Sequence, residues 1–371
     1  MPSNFKSITI ICASLALLSL AAWGLSGAAL SDTAPSYPIA PAISHESALN
    51  DAVDAIVANA DMGETRALLV MHRGKIVVER YAPGYGPETM LPSWSIAKSV
   101  TAVLVGLMVA DGRLALDAPV PLPAWSQPGD PRGRITLRQL LTMSSGLAHV
   151  EDTEPLATAD TIRMLFTDGA RDMAAFARSK PLADPPGAAF SYSSGTSLIL
   201  ADLMTRQLTA SDDPAVRQRA MATFVEGRLI RPAKLASLTA EYDRAGTFIG
   251  GSFLHMTARD YARFGEMLRL RGRIGGQQVV AERWIDLMTT PSRRNAAYGL
   301  HLWLNRASSD SALIPGQAPD SLFGCVGHGG QYILVSPRQK LTVVRLGMSP
   351  HKEQRDALKA GLANLVALFP G

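Results

Sequence analysis

The strand-like stretches of this chain lie at its two ends, and that narrows what it can fold into. Residues 66–72 and 75–81 are apolar runs split by Arg73-Gly74, a hairpin signal. Residues 332–336 and 340–346 form a second pair around a turn at 337–339. Between the pairs, helical spacing dominates: 160–166, 172–179, 197–209 and 213–229, then 257–270 and 281–289. Amphipathic helices at 45–59 and 354–368 flank the whole. The pattern predicts an α/β fold, with one sheet built from both chain ends, flanking helices, and a helical insertion over about 115–290.

The first strand pair leads into Pro92-Ser93-Trp94-Ser95-Ile96-Ala97-Lys98-Ser99-Val100, where a long apolar helix begins and runs to the Asp111-Gly112 turn. Ser95 and Lys98 are three apart, which places both side chains on one helical face. A serine hydroxyl is a poor nucleophile at neutral pH, and a neighbouring amine can take its proton. The Ser-x-x-Lys tetrad also occurs at Ser3–Lys6 and Ser349–Lys352, but only Ser95–Lys98 opens a helix of buried character. The alternative for Ser95 and Lys98 is a capping serine and a solvated lysine.

Size and charge set further bounds. With 371 residues, 47% hydrophobic and 18% charged, the chain is long enough for one large domain or two intimate ones. A net charge of +4, spread without a basic block, argues against nucleic acid as a partner. Cys12 lies in an N-terminal apolar run, so Cys325 is alone in the body and no internal disulfide forms there. Residues 8–30 hold no charge over 23 positions, with Lys6 before and Asp32 after. The expectation is export to the periplasm, by a cleaved signal peptide or with the segment 1–30 kept as a membrane anchor. Residues 31–44 read as a linker and 45–371 as the catalytic body. The sequence carries no sign of oligomeric state. It has no Gly-x-Ser-x-Gly elbow, no His-Glu-x-x-His and no nucleotide-binding loop, so neither a metal nor a cofactor is expected.

Two distant elements join Ser95–Lys98: Tyr192-Ser193-Ser194 after a Pro-Gly turn, and His328-Gly329-Gly330-Gln331 before the late strand pair. With Leu140–Leu147 and Ala245–Ser252, this resembles the β-lactamase-related serine hydrolases, which include class C β-lactamases, D,D-peptidases and family VIII esterases. The wording at 94–99 and 186–195 is most similar to 6-aminohexanoate-dimer hydrolases. The resemblance implies the β-lactamase/D,D-peptidase-like fold with an antiparallel sheet. It makes Ser95 the acylated nucleophile, Lys98 its proton partner and Tyr192 the shuttle to the leaving group. Ser194 stands where class C enzymes carry Asn, and otherwise could merely cap a helix. His328 replaces the lysine of β-lactamases. Gly329 and Gly330 let substrate lie along the strand edge, and the N–H groups of Ser95 and Gln331 are the implied oxyanion hole.

On physical grounds Lys98 must be buried to act as a base, and a nearby ammonium would favour a Tyr192 phenolate. The run Glu151-Asp152-Thr153-Glu154 reads mainly as a solvated acidic loop, with an amine-bearing substrate as the other option. The expected activity is acyl-enzyme hydrolysis of a small amide or ester. The alternatives are action on β-lactams or peptidoglycan peptides, and a tethered binding protein with a degenerate site.

Overall fold

The computed structural model describes residues 46–309 and 311–370. The apolar run 8–30, the Ser3–Lys6 tetrad, Cys12 and the linker 31–44 lie outside the described residues. Among the described residues no helix is long and apolar enough to cross a membrane.

In chain order the first elements are α1 (Glu46–Ala58), β1 (Glu64–His72), β2 (Lys75–Tyr81), β3 (Leu91–Pro92) and α2 (Ile96–Ala110). The helical region follows: α3 (Leu137–Leu141), α4 (Asp160–Phe166), α5 (Met173–Arg178), α6 (Ser194–Leu208) and α7 (Pro214–Val225). Next come β4 (Thr239–Ala240), β5 (Leu254–Met256), α8 (Ala258–Arg269), β6 (Arg273–Ile274), β7 (Gln277–Gln278) and α9 (Glu282–Met288). The chain closes with β8 (Trp303–Leu304), β9 (Phe323–Gly327), β10 (Gln331–Ser336), β11 (Leu341–Met348) and α10 (Lys352–Ala367).

The main sheet is antiparallel, in the order β2-β1-β11-β10-β9-β8, so strands from both chain ends meet at the β1–β11 pairing. The first hairpin closes at Arg73 and Gly74, whose φ values of 54° and 77° suit a tight turn that follows the strand twist. Side chains alternate between two cores. Ala67, Leu69, Ile333, Val335, Val344 and Leu346 face α2 and α8, while Leu68, Val70, Tyr332, Leu334, Leu341 and Val343 face α1 and α10. The α/β class and the sheet made from both ends therefore stand.

α2 is apolar on every side because it is enclosed on every side: its residues from Ile96 to Met108 are buried. A small sheet, β3-β5-β4, ties the segment before α2 to the loop 245–253. Leu91 pairs with Met256, and the buried Ser93 hydroxyl accepts from Leu254 N at 3.1 Å and donates to Ser252 O at 3.2 Å. The glycine-rich strand β9 was not expected. Gly324 and Gly327 are required by close packing: a Cβ would lie 2.9 Å from Ile333 O at the first and 2.6 Å from Ser93 O at the second. The helix predicted over 213–229 forms and runs on past it, from α7 through a π-helical segment at Glu226–Ile230 to a last turn at Arg231–Ala233.

Candidate active site

Ser95 stands at the junction where β3 turns into α2. Trp94, just before it, holds φ at +45°, a strained conformation for a large side chain. The Trp94 ring packs against Phe253 and His328, at 5.9 and 5.2 Å between centroids. Ser95 occupies the N-cap position of α2, yet its side chain makes no capping hydrogen bond. Its hydroxyl faces Lys98 Nζ at 2.9 Å, and it is partly solvent-exposed.

Lys98 is 1% exposed. Its Nζ lies 2.9 Å from Ser95 Oγ, 2.8 Å from Ser194 Oγ and 2.8 Å from Gly251 O. These partners come from three separate segments, and they match the three donors of an ammonium. Burial lowers the Lys98 pKa to about 8, against the opposing charge of Glu151. A measurable fraction of free amine, about a tenth, then exists at neutral pH. Gly250 and Gly251 allow this approach. A Cβ at Gly250 would lie 2.4 Å from Thr101 Oγ1, and one at Gly251 would lie 3.2 Å from Ser194 O.

Tyr192 completes the cluster. Its phenol lies near enough to Ser95 to interact with it, and its ring lies 5.1 Å from Lys98 Nζ. Trp303 stacks on the ring at 5.7 Å, and Tyr298 meets it edge-on at 6.1 Å. The phenolate expected beside Lys98 does not form. Burial, then the negative charge of Glu151, raise the Tyr192 pKa well above its ordinary value, against the smaller pull of Ser95. Tyr192 is therefore a neutral donor.

Ser194 does not cap α6. Ser193 does, accepting from Thr196 N at 3.1 Å. The Ser194 side chain instead bridges Lys98 and Glu151, with Oγ 2.6 Å from Glu151 Oε1, while its N–H donates to Glu151 Oε2 at 2.6 Å. The acidic run thus divides: Asp152 and Glu154 are exposed, but Glu151 turns inward onto the N-terminus of α6. Burial works to raise the Glu151 pKa. Hydrogen bonds from His149 and Ser194 and the charge of Lys98 outweigh it and hold the carboxyl at about 2. Composition alone could not separate Glu151 from its neighbours, because the signal is the contact with Ser194, 43 residues away.

His328 is exposed at the rim, its ring against Trp94. Desolvation on its protein side and the charge of Arg355 lower its pKa, with Asp152 opposing, so the imidazole is neutral at pH 7. Gly329 and Gly330 form the β9–β10 turn with φ of 72° and 82°, and both point toward β11 and α10, not toward Ser95. Gln331 is in register with Gly327 as the first rung of β10. Its side chain bonds within the fold, donating to His328 O at 2.9 Å and Gly347 O at 2.6 Å and accepting from Gly347 N at 2.9 Å. Among the described residues, no backbone hydrogen bond takes up the N–H of Ser95 or of His328. The other tetrad serine, Ser349, is fully buried behind the sheet and donates to Met62 O, while Lys352 pairs on the surface with Asp356.

Residues 53–368 match the family model described as Beta-lactamase. The chain belongs to the β-lactamase family of serine hydrolases. Among curated relatives, a 6-aminohexanoate-dimer hydrolase from Paenarthrobacter ureafaciens is 23% identical over 320 residues, covering 78% of this chain and 74% of that protein. Among solved structures, a D-stereospecific amidohydrolase from Streptomyces sp. superposes with a TM-score of 0.59 at 20% identity, covering 85% of this chain and 98% of that one. The octameric penicillin-binding protein homologue from Pyrococcus abyssi gives a TM-score of 0.60 at 20% identity, covering 86% and 77%. The β-lactamase/D,D-peptidase-like fold is shared with both.

Proposed function

We propose that this family member hydrolyses a small amide or ester through an acyl-enzyme on Ser95. The observation that carries the reading is the Lys98 amine, held by Ser194 and Gly251 with its third bond directed at the Ser95 hydroxyl. The neutral amine takes the Oγ proton as Oγ bonds to the substrate carbonyl carbon. In this reading the N–H groups of Ser95 and His328, rather than of Gln331, receive the oxyanion, which their lack of a backbone partner among the described residues supports. Gln331 would act one step back, bracing the turn. The intermediate collapses as the neutral Tyr192 phenol protonates the leaving group and is reprotonated from the Lys98 ammonium. Water then cleaves the acyl–Oγ bond by the reverse proton path.

The substrate class follows from the site's lining. Trp94, Phe253 and Trp303 offer aromatic surface, and no permanent cation stands in the position of His328. That favours substrates with no carboxylate beside the scissile bond over the substrates of β-lactamases and D,D-peptidases. The name of the curated relative fits this, since a linear 6-aminohexanoate dimer carries its carboxylate at the far end of the amine portion, away from the scissile amide. The uncharged run 8–30 supports an exported enzyme, secreted or anchored.

Side-by-side assays with nitrophenyl esters, 6-aminohexanoate dimer and nitrocefin test the proposal, with mass spectrometry of the trapped enzyme. Acyl mass on Ser95 and loss of turnover in Ser95→Ala are expected. Full activity in Ser95→Ala overturns the mechanism, and a nitrocefin efficiency far above that for esters overturns the substrate class.

A further inference from the structure

Glu151 is not needed to hold the acylating pair together by contact, since it touches neither Ser95 nor Lys98. It reaches Lys98 only through the hydroxyl of Ser194, and the direction of those two hydrogen bonds has a chemical consequence. An ionised carboxylate only accepts. Ser194 has one hydroxyl proton, and at 2.6 Å it goes to Glu151 Oε1. Ser194 Oγ can then only accept from Lys98. Gly251 O, a carbonyl, also only accepts.

A neutral amine has two protons and one lone pair. With Ser194 Oγ and Gly251 O both obliged to accept, both protons are taken. The lone pair is left for the third partner, Ser95 Oγ, 2.9 Å away. That is the orientation a general base requires. If the Ser194 proton pointed at Lys98 instead, the lone pair would be spent on Ser194, and an N–H would face the nucleophile.

We infer that Glu151, acting through the Ser194 hydroxyl, is a positioning residue that aims the Lys98 lone pair at Ser95. The inference rests on the acyl-enzyme reading above. The surroundings keep Glu151 in this role. Its second oxygen accepts from Ser194 N at 2.6 Å, at the start of α6, and from His149 Nε2 at 3.2 Å. Since the carboxylate only accepts, His149 carries its proton on Nε2. Thr161 Oγ1 lies 3.1 Å from the same nitrogen, and the His149 side chain is nearly inaccessible. The other titratable groups facing this cluster are Tyr192, Tyr298 and the buried His301, with the Asp160–Lys180 pair beyond His149. His301 is held neutral by burial, which lowers its pKa to about 3.

Glu151→Gln reverses the relay. Ser194 N and Ser194 Oγ both need acceptors, and an amide offers one. With the amide oxygen on Ser194 N, the NH2 donates to Ser194 Oγ and turns its proton toward Lys98. The test compares wild type, Glu151→Gln and Glu151→Asp, each verified as folded by circular dichroism. It follows the rate of Ser95 labelling by a fluorophosphonate and kcat/KM for p-nitrophenyl acetate against pH. For Glu151→Gln both rates should fall by about a hundredfold, within the range of general-base contributions. The rising limb of the profile should also move to lower pH, because the amine loses a neighbouring negative charge. Glu151→Asp, which keeps the charge, should leave the limb in place.

A Glu151→Gln protein with wild-type rates, or one slowed with its limb unmoved, overturns the inference while leaving the acyl-enzyme intact. No labelling of wild-type Ser95 overturns the hydrolase reading, and this inference with it. Should Glu151→Gln fail to fold, Ser194→Ala carries the test: labelling about tenfold slower supports the relay, and unchanged labelling overturns it.

Discussion

Arg345 donates through Nη1 to both Gly329 O and Gly330 O, at 3.2 and 2.9 Å, from the strand that lies behind their turn. The side chain is fully buried, and its other bonds go to Glu64 O, Thr65 Oγ1 and Ser349 Oγ. No carboxylate is among these hydrogen-bond partners. Burial accordingly lowers even a guanidinium, to about 10. One arginine thus fastens the turn that carries His328 to the start of β1.

Replacing Arg345 with Met should leave several of those acceptors unpaired. An unsatisfied buried polar group costs about 1–3 kcal/mol, so the loss of stability should be at least about 2 kcal/mol. Because the turn also presents His328 N–H, nitrophenyl-ester turnover should drop more in kcat than in KM. Thermal unfolding and steady-state kinetics on the same preparation check both. An unchanged melting temperature would show that the turn holds without this residue.

The Lys98 amine predicts the acid limb of the rate profile. On the proposed mechanism the base form acts, and its pKa is about 8, so kcat/KM should rise tenfold per pH unit up to about pH 8 and then level off. Stability has the same sign. The folded pKa lies below the unfolded value of 10.5, so the unfolded chain binds more protons between about 8 and 10.5. The cost of burying this charge is present in full below pH 8 and fades across that window. Lys98→Arg, which stays protonated, should lose about 10³-fold in kcat/KM, and a flat profile in the wild type would exclude Lys98 as the base.

Gly106 offers a test in which two effects compete. It lies in the middle of α2, where Ala is favoured over Gly by about 1 kcal/mol. A Cβ there would sit 2.2 Å from Trp284 Nε1, which donates to Ala102 O at 3.0 Å. Trp284 is 3% exposed and has no room to retreat. Overpacking of this kind costs about 1–3 kcal/mol, and losing the indole hydrogen bond adds to it. Gly106→Ala should therefore lower the melting temperature despite its better helix propensity, and a rise would mean that the indole does not lie over α2.

These residues also show what the sequence makes legible. Ser95, Lys98 and Tyr192 could be named because short local patterns carry them, and β1, β2, β10 and β11 because their apolar runs are bounded by turn residues. β9 was missed because Gly324 and Gly327 remove the side chains that such patterns are made of, for the sake of backbone contacts made elsewhere. Glu151 was submerged in an acidic run whose members differ only in what they face. A Tyr192 phenolate follows from Lys98 alone, and fails once the burial of the phenol and the carboxylate behind Ser194 are counted. In each case the deciding partner is distant in the chain, and a charge or a glycine acquires its meaning only from that partner.

On the proposed reading, His328 separates the substrate classes. Its ring sits at the rim beside Trp94, and desolvation with the nearby Arg355 charge lowers its pKa. At pH 7 it therefore presents no charge to a carboxylate. A cephalosporin carries such a carboxylate beside the scissile amide, and a surface-exposed ion pair is worth about 0.2–1 kcal/mol, more where the site closes over it. Wild-type hydrolysis of nitrocefin should be slow relative to that of nitrophenyl acetate. His328→Lys places a permanent ammonium at the same point on the turn, and should raise nitrocefin kcat/KM by about threefold to tenfold while leaving ester turnover within twofold. The gain should shrink as salt is raised, since screening weakens an exposed pair. If His328→Lys leaves nitrocefin hydrolysis unchanged at low salt, the carboxylate lies elsewhere in the site, and charge at residue 328 does not set the preference.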